Sequence, residues 1–171
     1  LDRLSGEFWI RILYGYPTGV TDELLEAVGE SRHILPYFDV PIQHNDPAVL
    51  RAMGRGGTVE AVAHLTRRIR SVLPRATVRT TCLVGHPGED RRAFERLVAH
   101  VEEAAYDHLG VFVFSPEEET PAARLRPRPL SVVAERRRER LLSVQTVVAR
   151  ARVRARKGEE EELLVEEVHP N

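Results

Sequence analysis

The chain has 171 residues, a net charge of −1, and a composition of 42% hydrophobic and 30% charged residues, which is typical of globular domains. No apolar run approaches the roughly 20 residues of a membrane-spanning helix, and the single cysteine, Cys82, excludes an internal disulfide and a multi-cysteine metal site. We therefore expect a cytoplasmic location with no membrane partner, and either one well-packed domain or part of a larger protein.

Two strand–helix units are predicted at the start of the chain. Residues 8–14 are predicted to form a strand, and the helix after them begins at Thr21, a residue type that caps helices well. The second predicted strand, residues 37–42, is followed by the polar residues Gln43 and His44. Polar residues at a strand end favour a binding site, although a histidine in a loop is more often without a ligand.

The central feature of the sequence is a predicted strand over residues 78–84 that a glycine–proline turn ends. Small and β-branched residues alternate with longer ones, which predicts a strand of a parallel sheet buried on both faces. Gly85, Pro87 and Gly88 shape the turn, and either acidic residue after them can cap the next helix. Since parallel sheets bind ligands at the carboxyl ends of their strands, this turn is a candidate site, but a tight turn without a ligand explains it about equally well.

A fourth predicted strand, residues 109–114, completes an α/β pattern. Four strands separated by helices predict parallel pairing with right-handed crossovers, so that the strand ends meet at one rim. The polar candidates at this rim are Tyr16, Thr18, Gln43, His44, His86, Glu89, Ser115 and Glu117. The sequence contains no Walker loop, dinucleotide-binding glycine motif or HExxH zinc motif.

The last part of the chain is predicted to be a long helix and the beginning of a small β unit. The helix begins at Ser131, and residues 124–157 hold 12 basic residues against two glutamates. A basic helix can bind nucleic acid, but a solvated face is the more common explanation. After Gly158, the alternating pattern of residues 163–168 predicts a strand.

Four longer motifs, in this order, resemble those of the radical S-adenosylmethionine methylthiotransferases. They are WIRILY with YPT within residues 9–18, YFDVPIQH at 37–44, LRAMGRGGT at 50–58 and RTTCLVGHPGE at 79–89. The resemblance implies a partial (βα) barrel of the radical SAM type over residues 1–157, with about four parallel strands and outer helices. Residues 158–171 then resemble the start of the small β-barrel called TRAM, which binds RNA and protein.

Two strand ends are similar to those of family members that modify a ribosomal protein. They are the sequence IQH at residues 42–44 and SPEEETPA at 115–122, in which Glu119 replaces the usual glycine. The resemblance implies transfer of a methylthio group to the β-carbon of an aspartate in a small-subunit ribosomal protein, with possible ribosome or RNA contact through TRAM. A tRNA adenosine methylthiotransferase, a phosphate-binding α/β barrel enzyme and an RNA-binding module remain alternatives.

The family's cofactors are S-adenosylmethionine and two 4Fe–4S clusters, one of which is held by a CxxxCxxC motif. This chain lacks that motif and starts without methionine, so we expect the cluster ligands upstream of Leu1 and an inactive isolated chain with an uncovered apolar sheet face. The resemblance implies a cofactor site formed by Gln43, Gly85, Pro87, Gly88, Glu89, Ser115 and Pro116. It places His44, Glu117 and Glu118 at the substrate opening and assigns no catalytic residue and no metal ligand.

Overall fold

A four-stranded parallel sheet forms the centre of the computed structural model, which describes residues 3–160 and Glu167. The strands lie side by side in chain order, and all three pairs are parallel. They are β1 (Ile10–Ile12), β2 (Ile34–Asp39), β3 (Thr77–Val84) and β4 (His108–Val113). The predicted α/β fold with four parallel strands is confirmed, whereas the strand predicted at residues 163–168 lies outside the described residues except for Glu167.

Helices cover one face of this sheet. They are α1 (Asp22–Glu30), α2 (Pro47–Ala52), α3 (Val59–Val72), α4 (Arg91–Ala104), the single turn α5 (Pro121–Arg124) and α6 (Ser131–Ala155). Apolar residues of α1, α3, α4 and α6 form one core with the sheet. Within residues 3–160, no helix combines the length and apolar character that crossing a membrane requires.

Side chains at three helix starts cap the first turn, two of them at positions that the sequence predicted. Thr21, Asp46 and Asp90 each accept a hydrogen bond from a backbone amide of the helix that follows. Of the two acidic residues after the turn, Asp90 and not Glu89 therefore caps α4. Thr58 does not cap α3, because its hydroxyl donates instead to the backbone oxygen of Arg55 at 2.8 Å.

β2 begins three residues earlier than predicted. Ser31 stabilises its start, because its hydroxyl accepts hydrogen bonds from the amides of His33 and Ile34. Beyond the end of β2, the chain continues alongside β3, and Gln43 pairs with Cys82 in an isolated parallel bridge. The strand ends at the rim therefore remain aligned although the regular strand ends at Asp39 rather than at residue 42.

β3 is buried on one face only, which corrects the prediction of burial on both faces. Its four fully buried residues are Val78, Thr80, Cys82 and Val84. The alternate residues Thr81 and Leu83 are only half-buried, and Arg79 is exposed. The alternating pattern could not distinguish these cases, since helices of the described chain cover only the outer face.

On the opposite face of the sheet, the described residues leave apolar side chains exposed. Leu13 and Phe112 are 50% and 62% exposed. Towards the amino ends of the strands this face becomes polar, with the Arg11 guanidinium 4.5 Å from the centre of the Tyr37 ring. The sheet therefore has a helix-covered outer face and an open inner face, as expected of part of a barrel.

Candidate functional site

A cavity of about 540 Å³ lies at the carboxyl ends of β2, β3 and β4. Its lining includes Gln43, Leu83, His86 and Phe114, which come from all three strand ends, and residues 51–55 and 120–122. This is the rim at which parallel sheets bind ligands. The cavity is the candidate functional site.

Gln43 is fixed at this rim by its backbone. Its φ is 65°, in the left-handed region that few residues other than glycine adopt. Its amide donates to the backbone oxygen of Thr81 at 2.9 Å, and its backbone oxygen accepts from the amide of Leu83 at 2.8 Å. Both hydrogen bonds tie Gln43 to β3, so the side chain that lines the cavity projects from a rigid position.

His86 is the residue of the glycine–proline turn that lines the cavity. It is buried, and its ring meets that of Phe114 edge-on, with centroids 4.9 Å apart. Its Nδ1 lies 2.8 Å from the backbone oxygen of Pro87 and must therefore be the protonated nitrogen. Because burial lowers the pKa of His86, the ring is neutral at neutral pH, with Nε2 as an acceptor.

The other residues of this turn do not line that cavity. An added Cβ on Gly85, which has φ +80°, would lie 2.6 Å from Cβ of Ala134 in α6, and the amide of Gly88 donates to the backbone oxygen of Pro127 at 3.1 Å. Pro87 is buried as well. Gly85 and Pro116 border a separate cavity of about 660 Å³ next to the start of α6. The structure therefore does not bring the residues expected at the cofactor together in one cavity.

A buried polar cluster of Glu89, Arg137 and His44 lies behind the turn. Glu89 Oε2 accepts a hydrogen bond from the amide of Gly85 and forms an ion pair with Arg137 Nη1 at 3.0 Å. The same Nη1 donates to the backbone oxygen of Glu89 at 2.9 Å. His44 Nε2 lies 3.5 Å from Glu89 Oε1, while its Nδ1 accepts from the amide of Asp46 at 2.9 Å.

Two of the expected site residues belong to this cluster and do not line the cavity. His44, expected at the substrate opening, is fully buried, and Glu89, expected in the cofactor site, has its carboxylate buried beneath the turn. The physical reason is the long-range ion pair with Arg137, which holds the Glu89 carboxylate inside the protein. Nothing in the local sequence around Glu89 indicated a partner in α6.

The loop after β4 is exposed, as expected for a substrate opening. Ser115, Pro116, Glu117 and Glu118 are all exposed. Glu119 has φ 71°, so this position keeps the left-handed backbone that the family's usual glycine would favour. The loop is closed by Thr120, whose hydroxyl donates to the backbone oxygen of Glu117 at 2.8 Å.

Arg55 is a cavity residue to which sequence analysis assigned no role. It belongs to the quoted motif LRAMGRGGT, and its guanidinium lies 4.6 Å from the ring centre of Tyr16, one of the rim candidates. Leu83 and Phe114 were also missed. Their positions on the inner face of β3 and just after β4 were the available signal, because alternate residues of a strand share a face.

The cavity fits a small organic ligand rather than a metal. Its apolar walls and few polar groups are typical of small-molecule sites. No group of three or more histidine, cysteine or acidic residues among the described residues could hold a metal ion. The single cysteine is buried in β3, and burial raises the pKa of its thiol, so the residues present do not fit an iron–sulfur cluster.

Comparison with known proteins identifies a family and a set of relatives. A family model described as the radical SAM superfamily matches residues 4–101. Three relatives named ribosomal protein uS12 methylthiotransferase RimO are similar to this chain. That of Gloeobacter violaceus is 45% identical over 93% of the chain, and those of Synechococcus sp. and Crocosphaera subtropica are 47% and 41% identical over 95% of it. The chain covers 36%, 34% and 37% of these relatives, about a third of their length.

Proposed function

Because this chain belongs to the radical SAM superfamily, we propose that it is part of a methylthiotransferase that modifies ribosomal protein uS12. The observation that carries the proposal is its identity of 41–47%, over more than nine-tenths of the chain, to relatives with that name. The chain contributes the sheet whose carboxyl ends would bind S-adenosylmethionine. We also propose that the protein is located in the cytoplasm.

The cavity at the strand ends is the proposed site for S-adenosylmethionine. Leu83 and Phe114 provide an apolar wall against which an adenine ring can pack, and the neutral His86 adds a hydrogen-bond acceptor. The amide side chain of Gln43 can hydrogen-bond the ribose hydroxyls. Of the residues expected at the cofactor, Gln43 is supported by this geometry. The turn at residues 85–89 would act by positioning His86.

The complete enzyme would also contain two 4Fe–4S clusters. One of them, bound by another part of the protein, would supply the radical chemistry that acts on an unactivated carbon. Since the residues of this chain do not fit a cluster, its ligands belong to another part of the protein. The role of this chain is to bind and orient S-adenosylmethionine.

The proposed substrate is an aspartate β-carbon of uS12, approached through the loop after β4. Glu117 and Glu118 are exposed there, and their negative charge suits a basic ribosomal protein better than a phosphate backbone. TRAM, whose start we propose at residues 158–171, would contribute further contact with the ribosome or RNA.

Two alternatives receive little support from the geometry. A phosphate at the start of α4 would meet the Asp90 carboxylate, which caps the helix, and Glu89, which occupies the amide of Gly85. An RNA-binding role for α6 is weakened because three of its arginines pair with carboxylates of the same domain. These arginines are Arg137, Arg140 and Arg152.

Mass spectrometry of a strain that lacks the full gene tests the proposal. We expect the methylthio group to be lost from the uS12 aspartate, to be retained on tRNA, and to return with the intact gene. Restoration should fail with a gene encoding Gln43→Ala but succeed with one encoding Val132→Ser, an exposed change on α6. Loss from tRNA with uS12 still modified would instead establish the tRNA-modifying function.

A further inference from the structure

His44 lies directly behind the candidate cavity. It follows Gln43, which lines the cavity, and its own side chain is fully buried. The amide of His44 donates to the backbone oxygen of Ile42 at 2.8 Å, which closes a three-residue turn centred on Gln43. The chain therefore passes from the cavity into the protein interior within one residue.

The two ring nitrogens of His44 face different parts of the fold. Nδ1 accepts a hydrogen bond from the amide of Asp46 at 2.9 Å. Because a backbone amide can only donate, Nδ1 carries no proton, and the proton of the ring is on Nε2. Nε2 lies 3.5 Å from Glu89 Oε1. His44 thus directs an acceptor at one segment and a donor at another.

The contact with Glu89 joins two atoms that need a partner. Neither His44 Nε2 nor Glu89 Oε1 has a hydrogen-bond partner among the described residues, and both side chains are completely buried. Buried polar atoms without partners are unfavourable, so the donor and the carboxylate oxygen attract each other across this short distance. The other oxygen of Glu89 is already occupied by the amide of Gly85 and by Arg137.

Each partner of His44 belongs to a segment that lines the candidate cavity. Asp46 caps α2, and residues 51–55, at and after the end of this helix, are part of the lining. Glu89 closes the turn that carries His86, another lining residue. The third segment is the strand end immediately before His44. One imidazole therefore contacts or adjoins three segments that form the cavity.

We propose that His44 is a positioning residue that holds Gln43, His86 and α2 in the arrangement that binds S-adenosylmethionine. The inference rests on the proposed function, because His44 itself does not line the cavity. Gln43 has φ 65°, a backbone conformation that persists only where the surrounding structure holds it, and His44 supplies such an anchor next to it. A side chain of similar size without ring nitrogens would fill the space but would not connect the three segments.

Three substitutions separate the two contacts of His44. His44→Asn keeps an oxygen near the position of Nδ1, which can accept from the amide of Asp46, but it does not reach Glu89. His44→Gln places an amide nitrogen near the position of Nε2, which can donate to Glu89, but it leaves the Asp46 amide without an acceptor. His44→Leu makes neither contact. The matched control is His33→Leu, since His33 is also buried and its Nδ1 lies 3.1 Å from the backbone oxygen of Phe8, but it does not line the cavity.

Binding of S-adenosylhomocysteine to the reconstituted full-length protein, measured by anaerobic calorimetry, tests the inference. The free energy of unfolding of each variant is measured in parallel. We expect His44→Leu to weaken binding by about 100-fold, and His44→Asn and His44→Gln by only about 10-fold each, because each amide restores one of the two contacts. His33→Leu should lower the free energy of unfolding and leave the affinity unchanged.

Each other outcome has a definite meaning. Wild-type affinity in a folded His44→Leu protein overturns the role of His44 but leaves the proposed function standing. Losses for His44→Asn and His44→Gln as large as that for His44→Leu, or an equal loss for His33→Leu, show that positioning by the ring nitrogens is not the cause. If His44→Leu does not fold, wild-type affinity in both amide variants overturns the inference. Failure of wild type to bind S-adenosylhomocysteine overturns the proposed function together with this inference.

Discussion

The carboxylate of Glu89 accepts a hydrogen bond from the backbone amide of Gly85, four residues earlier in the chain. The turn after β3 is therefore closed by a side chain of its own, in a position that solvent does not reach. Arg137 supplies the balancing positive charge from α6. A buried ion pair thus fixes the turn that positions His86 at the candidate site.

Removing the positive charge of this pair should destabilise the folded protein. Arg137→Ala leaves the Glu89 carboxylate buried without a cation, and we expect it to reduce the free energy of unfolding by roughly 3 kcal/mol. Adding Glu89→Gln to that variant should recover part of the loss, because no charge is then buried. Arg138→Ala, which breaks only an exposed pair with Glu135, should cost less than about 0.5 kcal/mol in the same denaturation experiments. Equal losses for Arg137 and Arg138 would contradict a structural role for the buried pair.

A side chain at Gly85 should destabilise the fold for two separate reasons, backbone strain and a steric clash. Its φ is +80°, and a Cβ there would lie 2.6 Å from Cβ of Ala134. Gly54 has a similar φ of +71° with nothing within 4 Å, so Gly54→Ala measures the backbone effect alone, about 1 kcal/mol. Gly85→Ala should cost more than this.

A double-mutant cycle isolates the steric part of that cost. In Gly85→Ala, the further change Ala134→Gly removes the clashing methyl and should raise the melting temperature, whereas Ala134→Gly alone should lower it. Purely additive effects would show that Ala134 does not limit the space at Gly85.

Asp107 should make stability depend on pH at the acid end of the range. Burial alone would raise the pKa of Asp107, but hydrogen bonds from the amide of Val78 and from Arg152, with the charge of Arg70, lower it. Because the pKa of Asp107 in the folded protein lies below its ordinary value of 3.8, the stabilisation is complete above that pH and is lost as the pH falls through the folded pKa.

Asp107→Asn tests this dependence. It should cost about 2 kcal/mol at neutral pH, and the difference from wild type should shrink on acidification to about pH 3. Asp22→Asn is a suitable control, because Asp22 pairs with Arg68 at the surface. A difference for Asp107→Asn that stays constant with pH would show that the charge of Asp107 does not stabilise the fold.

The sequence predicted local features well and long-range side-chain contacts poorly. Thr21 and Asp90 cap helices as expected because a cap depends on residues within one turn. The burial of Glu89 depends on Arg137, 48 positions away, and neither residue type nor spacing encodes that contact. For the same reason, the sequence indicated no role for Arg55, because its contacts with Tyr16 and Pro41 form only in the folded chain.

Cys82 should be inert in the native protein. It is fully buried in β3, and burial raises the pKa of its thiol, so the reactive thiolate is scarce. We expect no labelling by iodoacetamide or by Ellman's reagent in native conditions and one equivalent in denaturant. Rapid labelling of native protein would show that the helix-covered core opens readily.

The isolated chain should also bind no iron–sulfur cluster. Its only thiol is buried, whereas a cluster of the required kind needs three thiolate ligands. Anaerobic reconstitution followed by iron and sulfide analysis should give no stoichiometric cluster for the 171-residue chain but a full complement for the complete protein. A cluster held by this polypeptide alone would contradict the proposal that its ligands lie elsewhere.

The pairing of Glu89 with Arg137 has a consequence for the order in which the chain matures during synthesis. Translation adds the turn at residues 85–89 long before α6, so the Glu89 carboxylate is made well before Arg137, the arginine that pairs with it. Domains fold as they leave the ribosome, and here the cation arrives after every strand of the sheet has been made. A nascent chain truncated at residue 101, the end of the superfamily match, would therefore lack the arginine that balances the buried Glu89 carboxylate beneath the turn that positions His86.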